Sequence, residues 1–213
     1  MIRYILFDLD DTLYPTQAGL MHEISDRMSE YMIERVGISP KDVDRVRRDY
    51  WTRYGTTLRG LYIERHVDAQ AFLNYVHEVD LTRYLKPDPR LAALLAALPQ
   101  QKSIFTNAPS NYAHNVLCAL EIEKYFDEIF DINFIAYESK PTPTAYVKVA
   151  AALPVRADEC AMIDDTARNL VPAKELGMRT VWLDGNDNAR AVEGSATADF
   201  VIKSIYDVTG AVQ

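Results

Sequence analysis

Acidic residues gather just after the first apolar run of the sequence. Asp8 and Asp10 follow the apolar residues 2–7 and stand two positions apart, with Asp11 beside them. Residues i and i+2 of an extended chain point to the same side, so we expect the Asp8 and Asp10 carboxylates to leave one face together. Carboxylates that close raise each other's pKa or require a cation. The spacing therefore indicates a site for proton transfer or for a cation.

Three further polar groups follow later apolar runs or precede a helix-like run, at Thr106-Asn107, Lys140-Pro141 and Asp164-Asp165. The aspartate pair would add negative charge to that of Asp8 and Asp10, and a hard, oxygen-seeking ion such as Mg²⁺ is the simplest counterion. The ion would in turn favour an anionic ligand. A phosphate suits this role, because a threonine hydroxyl and a lysine ammonium can both donate hydrogen bonds to its oxygens.

Each polar group alone also has a simpler explanation. Asp10-Asp11 and Thr106 could cap helices, Lys140 could face solvent, and the aspartate pair could complement a helix dipole. The four groups occur together, however, each beside a predicted strand or the helix that follows one. Their joint occurrence favours a single shared site.

The apolar pattern predicts two kinds of structure on either side of residue 85. Helical spacing dominates at 17–36, 41–53, 56–65 and 68–79. Beyond 85, helices at 90–98, 110–120, 142–152 and 166–176 alternate with strands at 102–105, 128–132, 160–163, 179–183 and 200–202, and residues 185–197 have the composition of a surface loop. Strands that alternate with helices predict a doubly wound parallel-sheet α/β core, residues 1–14 and 85–213, with an all-helical insertion at 15–84.

Composition limits the partners that the chain can have. The 213 residues carry a net charge of −8, which argues against unaided binding to a nucleic acid polymer or an anionic membrane. The insertion has 10 basic and 11 acidic residues, net −1, and the remainder has 13 and 20, net −7. The longest apolar run, 91–98, is too short to span a bilayer, and the N-terminus lacks the features of a secretory signal. We therefore expect a cytoplasmic protein with two reduced cysteines and a small-molecule partner.

The four groups resemble the ordered motifs of the haloacid dehalogenase (HAD) superfamily of hydrolases: Asp8-Leu-Asp10-Asp-Thr-Leu, Thr106-Asn107, Lys140-Pro141 and Asp164-Asp165-Thr-x-x-Asn169. The insertion after the first motif resembles the helical cap of its subfamily I. The segments Asp-Leu-Asp-Asp-Thr-Leu-Tyr, Tyr54-Gly-Thr-Thr-Leu-Arg59-Gly-Leu and Asp-Asp-Thr-Ala-Arg-Asn-Leu are similar to those of the pyrimidine 5′-nucleotidase branch.

This resemblance implies a phosphomonoester hydrolase with an aspartyl-phosphate intermediate. Asp8 would be the nucleophile, and Asp10 the general acid and then the general base. The other implied roles are phosphate binding by Thr106, Asn107 and Lys140, and Mg²⁺ binding by Asp8, the Asp10 carbonyl and Asp165, with Asp164 assisting. The superfamily often has a second acid where this chain has Asn169, which we expect to orient Lys140 or a metal-bound water.

The substrate is less sharply defined by the sequence. The resemblance favours a pyrimidine nucleoside 5′-monophosphate, and the glycines beside Tyr54 and Arg59 suggest a loop near the cleft that could contact its base. Arg45, Arg47 and Arg48 are expected to face solvent. A sugar phosphate or phosphoglycolate remains an alternative substrate. Haloacid dehalogenase, phosphosugar mutase and a non-catalytic binding module are more remote alternatives, and oligomeric state is not predicted.

Overall fold

The computed structural model describes residues 1–185 and 198–213, so residues 186–197 of the predicted surface loop lie outside the described part. Six strands form one parallel sheet in the order β3-β2-β1-β4-β5-β6. Their bounds are β1 Tyr4–Phe7, β2 Gln101–Phe105, β3 Ile129–Phe130, β4 Cys160–Asp164, β5 Arg179–Leu183 and β6 Phe200–Ile202. The predicted fold class, a parallel-sheet α/β core with a helical insertion, is confirmed.

The two central strands are apolar because both faces of the sheet are covered by helices. Every residue of β1 and of β4 is buried, which matches the continuous apolar runs that predicted them. In β1, Phe7 lies level with Ile104 of β2 on one side and with Ile163 of β4 on the other. The chain order reverses between β1 and β4, and ligands of such sheets bind outside the strand ends at that point.

Eight α-helices accompany the sheet within the described residues. Four belong to the insertion: α1 Leu20–Glu34, α2 Val43–Tyr54, α3 Thr57–Arg65 and α4 Ala69–Val76. The others are α5 Pro89–Ala97, α6 Ser110–Ala119, α7 Pro143–Ala152 and α8 Ala167–Glu175. Among these described helices none combines the length and the apolar character needed to cross a bilayer.

The predicted elements are all present, and the differences lie at their ends. β3 is shorter than the predicted 128–132, because Asp131 leaves the strand to accept hydrogen bonds from the amides of Ser110 and Phe134. The helix predicted at 68–79 ends at Val76, where the imidazole of His77 bonds to the Leu73 carbonyl. Such side-chain bonds compete with regular backbone pairing and end an element early.

Candidate active site

The carboxyl ends of β1 and β4 bring Asp8 and Asp164 side by side. Asp164 is the last residue of β4, and the Asp8 amide continues the sheet by donating to the Ile163 carbonyl at 2.9 Å. Both side chains are buried, Asp164 completely. The predicted convergence of the first and fourth motifs therefore follows directly from parallel pairing of these two strands.

Lys140 lies between the two carboxylates. Its ammonium donates to Asp8 Oδ1 at 2.7 Å and to Asp164 Oδ2 at 2.8 Å, and its side chain is only 1% exposed. Burial lowers the pKa of Lys140, but the adjoining Asp164 and Asp8 charges outweigh that effect and leave the pKa above its ordinary value. Lys140 is therefore a permanent cation, and the notion of a solvent-facing lysine is wrong.

Asn107 fixes the position of Lys140 through the main chain. Its side-chain oxygen accepts from the Lys140 amide at 2.8 Å, and its side-chain nitrogen donates to the Lys140 carbonyl at 3.3 Å. Asn107 also lines the cavity beside Asp8. Since both ends of its amide group are occupied by Lys140, its side chain positions the cation in this structure.

Besides Lys140, two donors make three hydrogen bonds to the carboxylate of Asp164. Asn169 donates from Nδ2 to both carboxylate oxygens, at 3.0 and 3.1 Å, and the Thr166 amide donates to Oδ1 at 2.8 Å. Asn169 thus orients Asp164, which in turn contacts Lys140. The uncharged amide at this position satisfies the buried carboxylate without adding a further negative charge.

Asp165 completes a cluster of carboxylates that fits a hard divalent cation. Ligand oxygens of Asp8, Asp164 and Asp165 lie within 4.8 Å of one another. The pKa of Asp165 is well above its ordinary value because of burial and the charges of Asp164 and Asp8. No hydrogen-bond donor reaches its carboxylate in residues 1–185 or 198–213. An oxygen-only donor set with excess negative charge suits Mg²⁺.

Asp10 is held by two phenols that the sequence did not identify as site residues. Tyr14 and Tyr112 both donate to Asp10 Oδ1, at 2.5 and 2.8 Å. Burial, followed by the charge of Asp8, raises the Asp10 pKa to about 7, although both phenol bonds oppose the rise. A carboxyl group with such a pKa can donate and accept a proton near neutral pH. His77 packs against Tyr112 with ring centroids 4.5 Å apart.

Thr106 follows β2 and lies on the floor of the same cavity. Its hydroxyl oxygen accepts from the Ala108 amide at 3.0 Å, and the side chain is almost fully buried. This bond closes a local turn and is not the helix cap considered above, because α6 begins only at Ser110. It leaves the hydroxyl proton free to be donated to a ligand.

A cavity of about 310 Å³ lies between these strand ends and the insertion. Tyr54 and Arg59 do not contribute to its wall. The Tyr54 hydroxyl donates to Glu64 at 2.7 Å, and Arg59 donates to the Thr142 hydroxyl, two residues beyond Lys140. Arg59 thus connects the insertion to the Lys140 loop, while Tyr54 bonds within the insertion.

Arg47 and Arg168 are cavity residues that the sequence analysis missed. Arg47 is half-buried, so the prediction of a solvent-facing side chain is wrong for it, while Arg45 and Arg48 are exposed. Its position was recognisable, because on α2 it shares the buried stripe of Val43 and Tyr50. Arg168 was part of a quoted motif, but nothing in the sequence showed that it would contact the insertion.

Arg168 joins α8 to the end of α2. It donates to the carbonyls of Trp51 and Gly55, at 2.9 and 2.7 Å, and its guanidinium lies 3.2 Å from the centre of the Trp51 ring. A cation is favourable at this position, because the carbonyls at a helix C-terminus carry a partial negative charge. The contact holds the insertion over the carboxylates.

Gly55 is a second point of close approach. Its φ is +90°, and an added Cβ would lie 2.9 Å from the Lys140 carbonyl oxygen and 3.0 Å from Pro141 Cδ. Both the backbone conformation and the missing side chain are therefore needed for the insertion to pack on the Lys140 loop.

We expect Gly55→Ala to lower kcat/KM about 10- to 100-fold, because displacement of the Lys140 loop would misplace the ammonium beside Asp8. Gly37→Ala is a matched control, since Gly37 has φ +77° but open space around it. Both variants should lose about 1–3 kcal/mol of stability from backbone strain. Steady-state kinetics and thermal unfolding separate the two effects. Equal kinetic losses in both variants would contradict a role for the close approach.

The family model described as "haloacid dehalogenase-like hydrolase" matches residues 2–177. "Phosphate metabolism protein 8" of Saccharomyces cerevisiae is 27% identical over 97% of this chain and 69% of its own length. "Glyceraldehyde 3-phosphate phosphatase" of Pyrococcus furiosus is 26% identical over 96% and 90%.

Among solved structures, the HAD-hydrolase YfnB from Bacillus subtilis bound to magnesium is similar in fold, with a TM-score of 0.65 and 17% identity over 100% of this chain and 99% of that one. All four motifs quoted from the sequence lie within residues 2–177, which this family model matches. The chain belongs to the haloacid dehalogenase-like hydrolase family.

Proposed function

We propose that the protein is a Mg²⁺-dependent phosphomonoester hydrolase that acts through an aspartyl-phosphate intermediate. The observation that carries this proposal is the placement of Asp8, a buried carboxylate bonded to Lys140 at 2.7 Å, with Asp10 on the same strand end. One carboxylate can serve as a nucleophile while the other carries a proton, because their environments differ.

In the first half of the reaction, an Asp8 oxygen attacks phosphorus and the bond from phosphorus to the ester oxygen breaks. Asp10, whose pKa is about 7, gives its proton to the departing oxygen, so an alcohol leaves. Lys140 offsets the negative charge of Asp8 and of the incoming phosphoryl group. Thr106 supplies a further hydrogen-bond donor on the cavity floor.

In the second half, Asp10 accepts a proton from a water molecule, whose oxygen attacks phosphorus. The bond between phosphorus and the Asp8 oxygen breaks, which releases inorganic phosphate and restores both carboxyl groups. Tyr14 and Tyr112 hold Oδ1 of Asp10 throughout, so the same group can act first as acid and then as base.

Asp8, Asp165 and the Asp10 carbonyl would hold the Mg²⁺ ion, with Asp164 beside them. When bound, the ion supplies positive charge that reduces repulsion between the Asp8 carboxylate and a phosphate. The carboxylate cluster supports this proposal, and so does the magnesium bound in a relative of similar fold.

Metal binding should depend on pH in a defined direction. In the metal-free protein, burial and the charges of Asp164 and Asp8 hold the pKa of the proposed ligand Asp165 well above its ordinary value. Burial and the charge of Asp8 likewise raise the pKa of Asp10 to about 7 and that of Asp11 to about 6. The folded state then binds more protons than the unfolded state, so stability should fall as the pH rises from about 4 to about 7. Mg²⁺ requires deprotonated ligands.

We therefore expect Mg²⁺ to raise the Tm more at about pH 7.5 than at about pH 5. Thermal unfolding in EDTA and in excess Mg²⁺ at the two pH values measures the difference. Asp165→Asn should remove most of the increment. An equal increment at both pH values, or one that survives in Asp165→Asn, would contradict the assigned site.

For the substrate, we propose a pyrimidine nucleoside 5′-monophosphate, handled by a cytoplasmic enzyme. This choice is supported by the motif resemblance and by the apolar wall that the insertion contributes to the cavity, which suits a ring better than a small polar acid. The alternative, a sugar phosphate or another small phosphorylated acid, is supported by the name of the Pyrococcus furiosus relative.

Phosphate release from a panel of monophosphates in Mg²⁺ tests both proposals. The panel should contain CMP, UMP, AMP, ribose 5-phosphate, glyceraldehyde 3-phosphate and phosphoglycolate. The highest kcat/KM with CMP or UMP would support the nucleotidase proposal, and equal turnover of AMP would oppose it. Release from none of the substrates would oppose phosphatase function altogether.

A further inference from the structure

The insertion covers the cavity with a wall of mixed character. Apolar side chains form most of it, and besides Trp51 they are Met21, Ile24, Met28, Leu58, Phe72 and Leu73. Arg47 is the one arginine of the insertion among the residues that line the described cavity. A cation in an apolar wall faces whatever part of a substrate lies away from the phosphate.

Arg47 is held in a fixed orientation by α1. Its Nη1 donates to the Ser25 carbonyl and to the Ser29 hydroxyl, both at 2.9 Å, and its Nη2 donates to the Ser25 hydroxyl at 2.8 Å. The guanidinium is therefore preorganised, and little conformational entropy would be lost when it binds a ligand.

The positive charge of Arg47 has no carboxylate in direct contact within the described residues. Among the described residues of the insertion, the arginines that form salt bridges are Arg27, Arg45 and Arg53. The Nε of Arg47 is buried without a hydrogen-bond acceptor, and burial lowers the pKa of the side chain. A buried donor without a partner is costly, and a bound ligand is one explanation for keeping it.

The hydrogen bonds already made restrict what this partner can be. Arg47 uses three of its five N–H groups on Ser25 and Ser29, and a fourth makes a long contact of 3.9 Å with Met28 Sδ, so at most two can turn to a ligand. A second phosphate or a carboxylate would need several donors in this apolar wall. A single neutral carbonyl oxygen needs only one or two.

The apolar neighbours suggest the kind of group that carries this carbonyl. Met21, Met28 and Phe72 offer polarisable and aromatic surfaces, which pack well against a flat ring. His77, which also lines the cavity, is neutral at physiological pH because burial lowers its pKa to about 4. The wall thus suits an uncharged heterocycle.

We infer that Arg47 is a specificity-determining residue that donates to a ring carbonyl of a pyrimidine base. This inference rests on the proposed function, since it assumes that the phosphate of the same nucleotide lies against Asp8 and Lys140. The base then lies between the apolar side chains of α1 and α4, with its carbonyl toward α2.

A two-by-two comparison of enzymes and substrates tests the inference. Wild type and Arg47→Met are assayed with UMP and with phenyl ribonucleoside 5′-phosphate, which has a flat ring but no carbonyl. In Arg47→Met, kcat/KM for UMP should fall about 10- to 100-fold more than kcat/KM for the phenyl analogue. General damage to the fold would reduce both values together and leave their ratio unchanged.

Arg48→Met is the matched control, because Arg48 is adjacent on α2 but exposed. Its ratio between the two substrates should equal that of wild type. If UMP is hydrolysed and the ratio does not change in Arg47→Met, the inference fails while the nucleotidase proposal stands. If wild type hydrolyses ribose 5-phosphate but neither UMP nor CMP, both fail.

Discussion

Asp8→Asn is expected to lower kcat/KM on the order of 10⁴-fold or more, because the substitution removes the attacking oxygen while preserving the size of the side chain. Substrate binding should be retained, since Thr106 and the cavity wall are unchanged. Steady-state phosphate release in Mg²⁺ measures the loss. A binding measurement by calorimetry with the inactive variant shows whether the cavity still accepts the substrate.

Asp131→Asn is a suitable control for this variant. Asp131 is another buried carboxylate near the same edge of the sheet, where it accepts hydrogen bonds from Ser110, Asn133 and Phe134. The substitution should lower stability but leave kcat/KM close to that of wild type. If Asp8→Asn kept more than a small fraction of the activity, a covalent role for Asp8 would be contradicted.

Lys140→Met is expected to have the second-largest effect, on both activity and stability. Lys140 is the cation bonded to Asp8 and Asp164. Its removal leaves two buried carboxylates unpaired, which costs about 3–5 kcal/mol of stability. The loss of an ammonium that stabilises developing charge should lower kcat about 10²- to 10³-fold. Thermal unfolding and steady-state kinetics measure the two effects.

Lys102→Met separates the loss of a buried lysine from the loss of the active-site charge. Lys102 is also buried, but its ammonium donates to the carbonyls of Leu98 and Gln100, at 2.7 and 2.6 Å. We expect this variant to keep wild-type kinetics. A similar kinetic loss in both lysine variants would show that burial, rather than the contact with Asp8, accounts for the effect.

The residues at the strand ends could be predicted from the sequence. An apolar run shows where each strand ends, and the ends of parallel strands share one edge of the sheet. Asp8, Thr106 and Asp164 each follow a short apolar run, and parallel strands end at the same edge. The position of Lys140 depends on a loop between elements. Its motif was recognised by resemblance, but its hydrogen bonds to two aspartates required the structure.

The contacts of the insertion could be predicted much less well. Gly55 lies where the insertion approaches the cleft and makes the close contact itself, whereas Gly60 lies within α3 and packs against Tyr50. The side chains beside these two glycines bond to other partners, Glu64 and Thr142. Helical periodicity shows which face of a helix is buried but not which element covers that face. The contacts of its side chains with another domain therefore cannot be predicted from the sequence.

The phenols beside Asp10 illustrate the same limit. Tyr14 lies four residues from Asp10, whereas Tyr112 is 102 residues away and reaches Asp10 from the first turns of α6. Residues so far apart in sequence meet only through the fold, and a single sequence holds no signal for the contact. The pKa of Asp10 depends on that environment, so its value could not be inferred from the two-residue spacing.

The most direct measurement of the central claim is the detection of the covalent intermediate on Asp8. Asp10→Asn is mixed with para-nitrophenyl phosphate and Mg²⁺, quenched in acid and digested for mass spectrometry. This leaving group needs little protonation, while loss of the base should slow hydrolysis, so the intermediate should accumulate. We expect a phosphoryl group on the peptide that contains Asp8. The double variant that carries both Asp10→Asn and Asp8→Asn should show none. If wild type forms product but the phosphoryl group is found on a residue other than Asp8, the covalent role of Asp8 is contradicted.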